Sequence, residues 1–344
     1  MRPDKEVTIY DIARTLNVSP ATVSRGLKDH PAISTKTKRR ILEKAKELGY
    51  RSNNFASNLR KQKTQTIGIL LHELHSHFIV SVLAGIEKVT TEAGYDILIA
   101  HSSESGQKEV ANAQNLFHKR VDGIIASLAF DTPDLSHFLQ FSEKNIPIVF
   151  FDRVEEDSLG TKVIIDNYKA GYQATQHLLD QGCKRVIHIT GNQSRNVYKQ
   201  RAKGFKDALL DNNQEYNPAN LKITDLDRVE SEKVANEILN MQPRPDGVFC
   251  AGDFSAAVCM RVFKSAGLRI PEDIAIVGFN NDVICTLIEP QLTTINYPGV
   301  EMGEIAARIL INHLNGNADI TLTNSIIIKS DLIVRESSLR KPIE

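Results

Sequence analysis

Apolar and polar positions divide the chain into two textures. Up to about residue 50 the apolar positions repeat with a helical period. Ile9, Ile12, Ala13 and Leu16 fall at i, i+3, i+4 and i+7, one face of a helix. Thr8 stands before that face as an N-cap, with Asp11 at capping-box spacing. Asn17 and Val18 make a short break, and Ser19 caps a second helix with Pro20 at its first position, where the missing N–H costs nothing. Val23 and Leu27 point inward, leaving Pro20, Ala21, Thr22, Ser24 and Arg25 outside. A third helix runs from about Thr35 to Leu48, capped by Ser34 and ended by Gly49, with Ile41, Ala45 and Leu48 as its inner stripe. Two short helices around a tight turn, the second presenting small, hydroxyl and Arg side chains, suit a helix-turn-helix DNA reader; an ordinary helical hairpin shares the apolar pattern.

Residues 50–64, YRSNNFASNLRKQKT, are polar and basic and read as a linker. Within them Asn53 to Lys61 can form one or two helical turns with Ala56 and Leu59 on one side, too short to be stable without a partner. From Gln65 short apolar runs alternate with helical patterns. The runs are IGILL (67–71), YDILIA (95–100), VDGIIASL (121–128), IPIVFFD (146–152), VIID (163–166), RVIHITG (185–191), DGVFCAG (246–252) and DIAIVGF (273–279). Helices such as His77–Ala93, Tyr168–Asp180, Arg201–Asn212 and Asp253–Ala266 fall between them, with Gly94, Gly182 and Gly267 at expected helix ends. Continuous apolar strands alternating with helices mean parallel α/β crossovers. About five units precede residue 166 and four follow it, which makes two doubly wound lobes with a ligand cleft between them.

Charge changes the picture of the N-terminal part. The formal net charge is zero, but residues 1–64 hold 15 Lys and Arg against 6 Asp and Glu, while the remaining 280 hold 27 against 36. A basic head on an acidic body points to a polyanionic partner for the head alone. Lys36, Lys38, Arg39, Arg40, Lys44 and Lys46 on the third helix extend that surface, either as a solvated face or toward phosphates. The opening MRPDKEVTIY has no apolar h-region and no run approaches the length of a membrane span, so no membrane association is expected. Cys183, Cys250, Cys259 and Cys285 lack metal-ligand spacing and read as reduced thiols, three of them in or beside apolar segments, which suits a cytoplasmic protein.

Catalytic and cofactor signatures are missing from the sequence: no GxG pair, no GxSxG elbow, and Asp253 where a phosphate loop needs Gly-Lys. The densest polar constellation, His72-Glu73-Leu74-His75-Ser76-His77, lacks the i, i+4 histidines of a metalloprotease helix and reads as a strand-to-helix loop, its polarity either incidental or turned toward a ligand. No catalytic residue, metal or cofactor is expected, and no enzyme.

With those residues in place, the sequence resembles the lactose-repressor family of bacterial transcription regulators over essentially its whole length. VTIYDIARTLNVSPATVSRGL followed by ISTKTKRRILEKAKELGY is similar to the family's DNA-binding head. IPIVFFDR (146–153), IIDNYKAG (164–171), RAKGF (201–205), IPEDIAIVGFNND (270–282), PQLTTI (290–295) and LIVRESS (332–338) are similar to landmarks of its core. The resemblance implies an α/β protein with an all-α helix-turn-helix head (1–50), a hinge (51–64) and a two-lobed core like periplasmic sugar-binding folds (65–344). Lobe 1 would be 65–166 with 296–327, and lobe 2 167–295 with 328–344.

Roles follow from the resemblance. The second helix would lie in the major groove of double-stranded operator DNA, with Pro20, Ala21 and Arg25 facing bases, and Ser19, Thr22 and Ser24 on phosphates. Arg25 is the specific reader, since a guanidinium forks onto guanine O6 and N7. Thr8 and Tyr10 of the first helix join the DNA-binding set. Ala56 and Leu59 match a hinge helix that folds on DNA and wedges paired leucines into the minor groove. A sugar-like effector would sit between the lobes among Phe78, Asp152, Arg195, Arg201, Asp253, Asn280 and Tyr297. Gly252, Asn280 and Leu226 depart from common polar or aromatic positions of that site, so a sugar, a phospho-sugar and a uronate all stay open. Gly26 departs within the second helix, where it would loosen the end of the reader. No leucine heptads follow LIVRESSLRKPIE, so a homodimer on a twofold operator is expected, and the effector would act by changing lobe angle. The competing reading, a solute receptor of the transport kind, calls for a signal segment and no basic head.

Overall fold

The computed structural model describes residues 7–50, 63–155 and 160–340, and it divides into two compact units between Thr64 and Gln65. The expected hinge, with Ala56 and Leu59, lies outside the described residues. The first unit holds helices α1 (Ile9–Leu16), α2 (Pro20–Leu27) and α3 (Thr35–Glu47) around buried Ile12, Ala13, Val23, Ile41 and Ala45. Its ends are fixed locally. Thr8 donates its N–H and hydroxyl to the Asp11 carboxylate at 3.0 and 2.7 Å, and the Ser19 and Ser34 hydroxyls accept the Thr22 and Thr37 N–H groups. Asn17 takes the left-handed conformation, φ 53°, that turns α1 into α2. Gly26 is buried against Ile41, where a Cβ would press on that side chain. It therefore sets the close approach of α2 to α3, and the expectation of a loosened helix end is corrected.

The second unit is built on two six-stranded sheets. In the first, β1 (Thr66–Leu71), β2 (Asp96–His101), β3 (Gly123–Ala126), β4 (Ile148–Phe151), β5 (Thr161–Ile165) and β11 (Ser325–Ile328) run parallel in the order β11-β5-β4-β3-β1-β2. In the second, β6 (Val186–Thr190), β7 (Leu221–Ile223), β8 (Gly247–Cys250), β9 (Ala275–Asn280), β10 (Thr293–Asn296) and β12 (Leu332–Ile333) take the order β12-β10-β9-β8-β6-β7, only β12 being antiparallel. All eight apolar runs of the sequence are strands. The four further strands escape the apolar pattern: β10 reads TTIN, and β7, β11 and β12 sit at sheet edges, where most of their residues are exposed or half-buried.

Helices α4 (His77–Glu92), α5 (Gly106–His118), α6 (Ser136–Glu143) and α11 (Gly299–Leu314) belong to lobe 1. Helices α7 (Asn167–Asp180), α8 (Asn196–Asp211), α9 (Arg228–Asn240) and α10 (Asp253–Ser265) belong to lobe 2. Gly94, Gly182 and Gly267 follow α4, α7 and α10 with φ of 74, 82 and 83°. One correction bears on the site: α8 begins at Asn196, five residues before Arg201, because Val197, Tyr198 and Ala202 already form its buried stripe. The chain passes between lobes three times: after β5, between β10 and α11, and between β11 and β12. In each sheet strand order reverses beside the first strand, β1 in lobe 1 and β6 in lobe 2, so loops diverge at the carboxyl ends there and leave a crevice.

Candidate functional site

The head presents its outer face as its patterning requires. Ala21 and Arg25 are exposed, Pro20, Thr22 and Ser24 half-buried, and Thr8, Tyr10 and Ser19 exposed. Among the described residues Arg25 has no side-chain partner, so its guanidinium is available to an acceptor pair. On α3, by contrast, Lys38 pairs with Asp29 at 2.6 Å, Arg39 with Glu43 at 2.9 Å, and Lys44 with Glu47. That leaves Lys36, Arg40 and Lys46 without a partner among the described residues, so half of the basic face is neutralised within the head.

The inter-lobe cleft is built from strand ends. Asp152 follows β4 in the left-handed conformation, φ 58°, and its buried carboxylate accepts the Tyr297 hydroxyl at 2.6 Å. Tyr297 lies on the second crossover and stacks on Phe78 of α4 with ring centroids 4.1 Å apart. Arg201 of α8 is buried, donates to Asn167 at 2.8 Å and to the Ala251 carbonyl at 3.2 Å, and lies 3.5 Å over the Phe279 ring. Gly171 makes this possible: a Cβ there would overlap the backbone of Arg201, so only glycine lets α7 and α8 close on each other. Burial pushes the Asp152 carboxyl up, and Arg153, Tyr297 and Arg201 offset part of that. Burial lowers the Arg201 pKa, with Tyr297, Tyr198 and Asp152 opposing.

Phe78, Asp152, Arg201, Asn280 and Tyr297 converge on one small cavity of about 50 Å³. Asn280, Phe78 and Tyr297 also wall a larger cavity of about 410 Å³, which continues along His77, Asn281, Asp282 and the start of α11. Arg195 and Asp253 line neither. Asp253 is fully buried in lobe 2, where it accepts the Thr294 hydroxyl at 2.7 Å and the Asp282 N–H at 2.8 Å. Arg195 precedes α8 and reaches into lobe 1. It donates to the Thr132 carbonyl at 2.7 Å, to Glu155 at 2.7 Å and to the Phe130 carbonyl at 3.1 Å.

Arg153 and Tyr198, which the sequence reading did not single out, also line the small cavity, as do His72 and Glu73 of the polar run left open there. His72 is buried, bonds Ser127 at 3.0 Å across the β1/β3 divide, and burial lowers its pKa well below the usual imidazole value. Glu73, beside it, is pushed up by burial. The polar run at 72–77 is therefore partly cleft lining, though among the described residues no group of metal ligands forms. Arg153 forks onto Glu104 at 2.7 and 2.9 Å and lies 4.1 Å over Phe130. Burial would lower its pKa, but Tyr198, Glu104 and Asp152 raise it on balance. Tyr198 lines the same cavity, with the Arg153 and Arg201 guanidinia each 5.6 Å from its ring centroid. The available signals were position directly after an apolar strand, for His72 and Arg153, and one helical turn from Arg201, for Tyr198.

A chain with a helix-turn-helix head and a cleft of this construction matches known proteins over nearly its whole length. The family description "Periplasmic binding proteins and sugar binding domain of LacI family" matches residues 64–336, and "Bacterial regulatory proteins, lacI family" matches residues 8–53. The chain belongs to the lacI family of bacterial regulatory proteins. It is 30% identical to catabolite control protein A of Priestia megaterium over 93% of this chain and 96% of that protein. It is 31% identical to the ribose operon repressor of Halalkalibacterium halodurans over 96% and 97%. Its fold is similar to that of the lac repressor dimer bound to operator and the anti-inducer ONPF, with a TM-score of 0.85 at 23% identity, covering 98% of this chain and 100% of that one. It is thus a lacI-family transcription regulator with a DNA-binding head and a core of the sugar-binding type. Among the described residues no helix is long and apolar enough to cross a membrane.

Proposed function

We propose that this lacI-family chain is a repressor that binds a palindromic operator as a homodimer in the cytoplasm and is controlled by a neutral sugar or sugar derivative held between its lobes. The observation that carries the effector reading is the charge balance of the cleft. Arg153 is neutralised by Glu104, and Arg201 faces Asp152, with Glu73 adding a further carboxyl. Polar groups decide what a pocket accepts. Here acceptor carboxylates and donor guanidinia alternate around the Phe78–Tyr297 rings, which suits hydroxyls on an apolar ring face. A phosphate or uronate would meet Asp152 and Glu73, so the neutral class is favoured.

Arg25, Pro20 and Ala21 would read bases, with Ser19, Thr22 and Ser24 on phosphates and Thr8 and Tyr10 beside them. Ala56 and Leu59 would form the DNA-ordered hinge. Dimerisation is supported by exposed apolar residues on neighbouring elements of lobe 2, among them Val229, Phe254, Val283 and Leu287, and by Val80 on α4. A second copy would cover them.

The test is a thermal-shift screen of the full chain against neutral sugars, sugar phosphates and uronates, with sedimentation to read the assembly. A ligand present at 100 times its Kd stabilises by about 2.7 kcal/mol. Stabilisation by a neutral sugar and a dimeric mass support the reading; stabilisation only by phosphates or uronates, or a monomer at micromolar concentration, overturns it.

A further inference from the structure

We propose that Arg195, with Asn196 beside it, is a latch that holds the two lobes shut, and not a contact to the effector. The proposal rests on the effector-cleft reading only for what the latch encloses; the latch itself is a property of the chain without ligand.

Every hydrogen bond of the Arg195 guanidinium crosses to lobe 1. Nε and Nη2 share the Phe130 carbonyl at 3.3 and 3.1 Å, Nη2 reaches the Thr132 carbonyl at 2.7 Å, and Nη1 meets Glu155 at 2.7 Å. Its neighbours do the same. Ser194 donates to the Phe130 carbonyl at 3.0 Å, and Asn196 accepts the Val154 N–H at 3.0 Å and donates to the Asp152 carbonyl at 3.1 Å. Three consecutive residues at the start of α8 thus tie lobe 2 to two loops of lobe 1. A planar fork with five donors is suited to holding several carbonyls at once.

The surface that receives the fork is itself held in place. Fully buried Glu109 accepts the Ala129 N–H at 2.7 Å and the Thr132 hydroxyl at 3.0 Å, which fixes the loop that offers Phe130 and Thr132. Arg195 is 2% exposed although it lines neither cavity, so its donors are spent on closure. The cavity around Asp152 and Arg201 is about 50 Å³ and shares the walls Phe78, Asn280 and Tyr297 with the larger one of about 410 Å³. Opening the latch would widen the space around Asp152 and Arg201, so the apparent affinity of a ligand that needs that space is scaled by the open fraction. Asp152 and Arg201 supply recognition; Arg195 and Asn196 set how often the cleft is accessible.

The experiment needs no effector, so failure of the sugar screen leaves it readable. Spin labels are placed on the full chain at Ser136→Cys in lobe 1 and Lys199→Cys in lobe 2, both exposed, the four native cysteines being buried. The unliganded wild-type background gives one narrow distance distribution. Arg195→Gln and Asn196→Ala broaden it to longer distances, and amide exchange at Val154, whose N–H loses its acceptor or its closed lobe, rises at least tenfold. Arg195→Lys, which keeps the charge and loses the fork, gives an intermediate distribution and serves if the stronger variants fold poorly. An effector contact without a latch role predicts an unliganded distribution and Val154 exchange rate unchanged in all three variants, and that result overturns the proposal.

Discussion

Tyr297→Phe isolates a single hydroxyl in the cleft. The phenylalanine ring keeps the stack on Phe78 and removes only the O–H that reaches Asp152 at 2.6 Å. Both residues are buried, so only a water confined in the cavity they line could replace the donor. A hydrogen bond to a buried charged group contributes about 1.5–3 kcal/mol. The Tyr297 hydroxyl holds the Asp152 pKa down against the burial that raises it, so its loss sends that pKa further up. The sign follows by linkage. Folded Asp152 in the variant binds a proton at a pH where the unfolded chain does not, so the variant gains stability as pH falls. The deficit against wild type is therefore largest at neutral and higher pH and shrinks as pH falls toward the carboxylate range. Urea unfolding of the core across that range measures it, with Asp152→Asn as the second arm of a double-mutant cycle. Asn suits the position because it tolerates φ 58°. A deficit below about 0.5 kcal/mol, within the usual scatter of surface substitutions, or one independent of pH, refutes the reasoning.

Other predictions follow from single positions. Arg25→Ala weakens selective operator binding by about 1–3 kcal/mol, roughly 5- to 150-fold, while salt-sensitive binding to unrelated DNA persists; anisotropy titrations that agree within threefold contradict it. His188 stacks on Phe249 at 4.2 Å and burial holds its pKa down to about 3, so the stability it leaves intact above about pH 6.5 is lost as pH falls toward 3. That loss amounts to about 2 kcal/mol by pH 5, and His188→Gln flattens the slope in unfolding titrations run from pH 7 to 5. Gly171→Ala forces α7 from α8 and costs about 1–3 kcal/mol of core stability by overpacking, with wild-type unfolding midpoints as the contrary result.

Much of the fold was legible because buried parallel strands leave continuous apolar runs. VDGIIASL and IPIVFFD announce β3 and β4 by composition alone. Edge strands β7, β11 and β12 do not, since their pattern is set by what covers one face. The same limit applies to the site. Asp152 and Arg201 stand out as charges beside apolar segments, but whether such a charge faces the cleft depends on α7 and α8 closing over Gly171. Asp253 has the same surroundings in sequence and turns into lobe 2 because Thr294 and the Asp282 N–H meet it there. For Arg195 the sequence offers no sign of its hydrogen bonds to the carbonyls of Phe130 and Thr132, which lie more than sixty residues away in the chain. On α3 the basic run looks uniformly available, whereas local carboxylates at Asp29, Glu43 and Glu47 take half of it.

The central claim is that a ligand between the lobes controls what the head does on DNA. Footprinting of the full chain on the DNA upstream of its own gene, with and without each sugar, tests it most directly. The account predicts a protected site with twofold symmetry whose occupancy changes at least tenfold with one neutral sugar, and an Asp152→Asn chain that keeps the footprint and loses the response. No protected site under any ligand condition, or a response that survives Asp152→Asn unchanged, would contradict it.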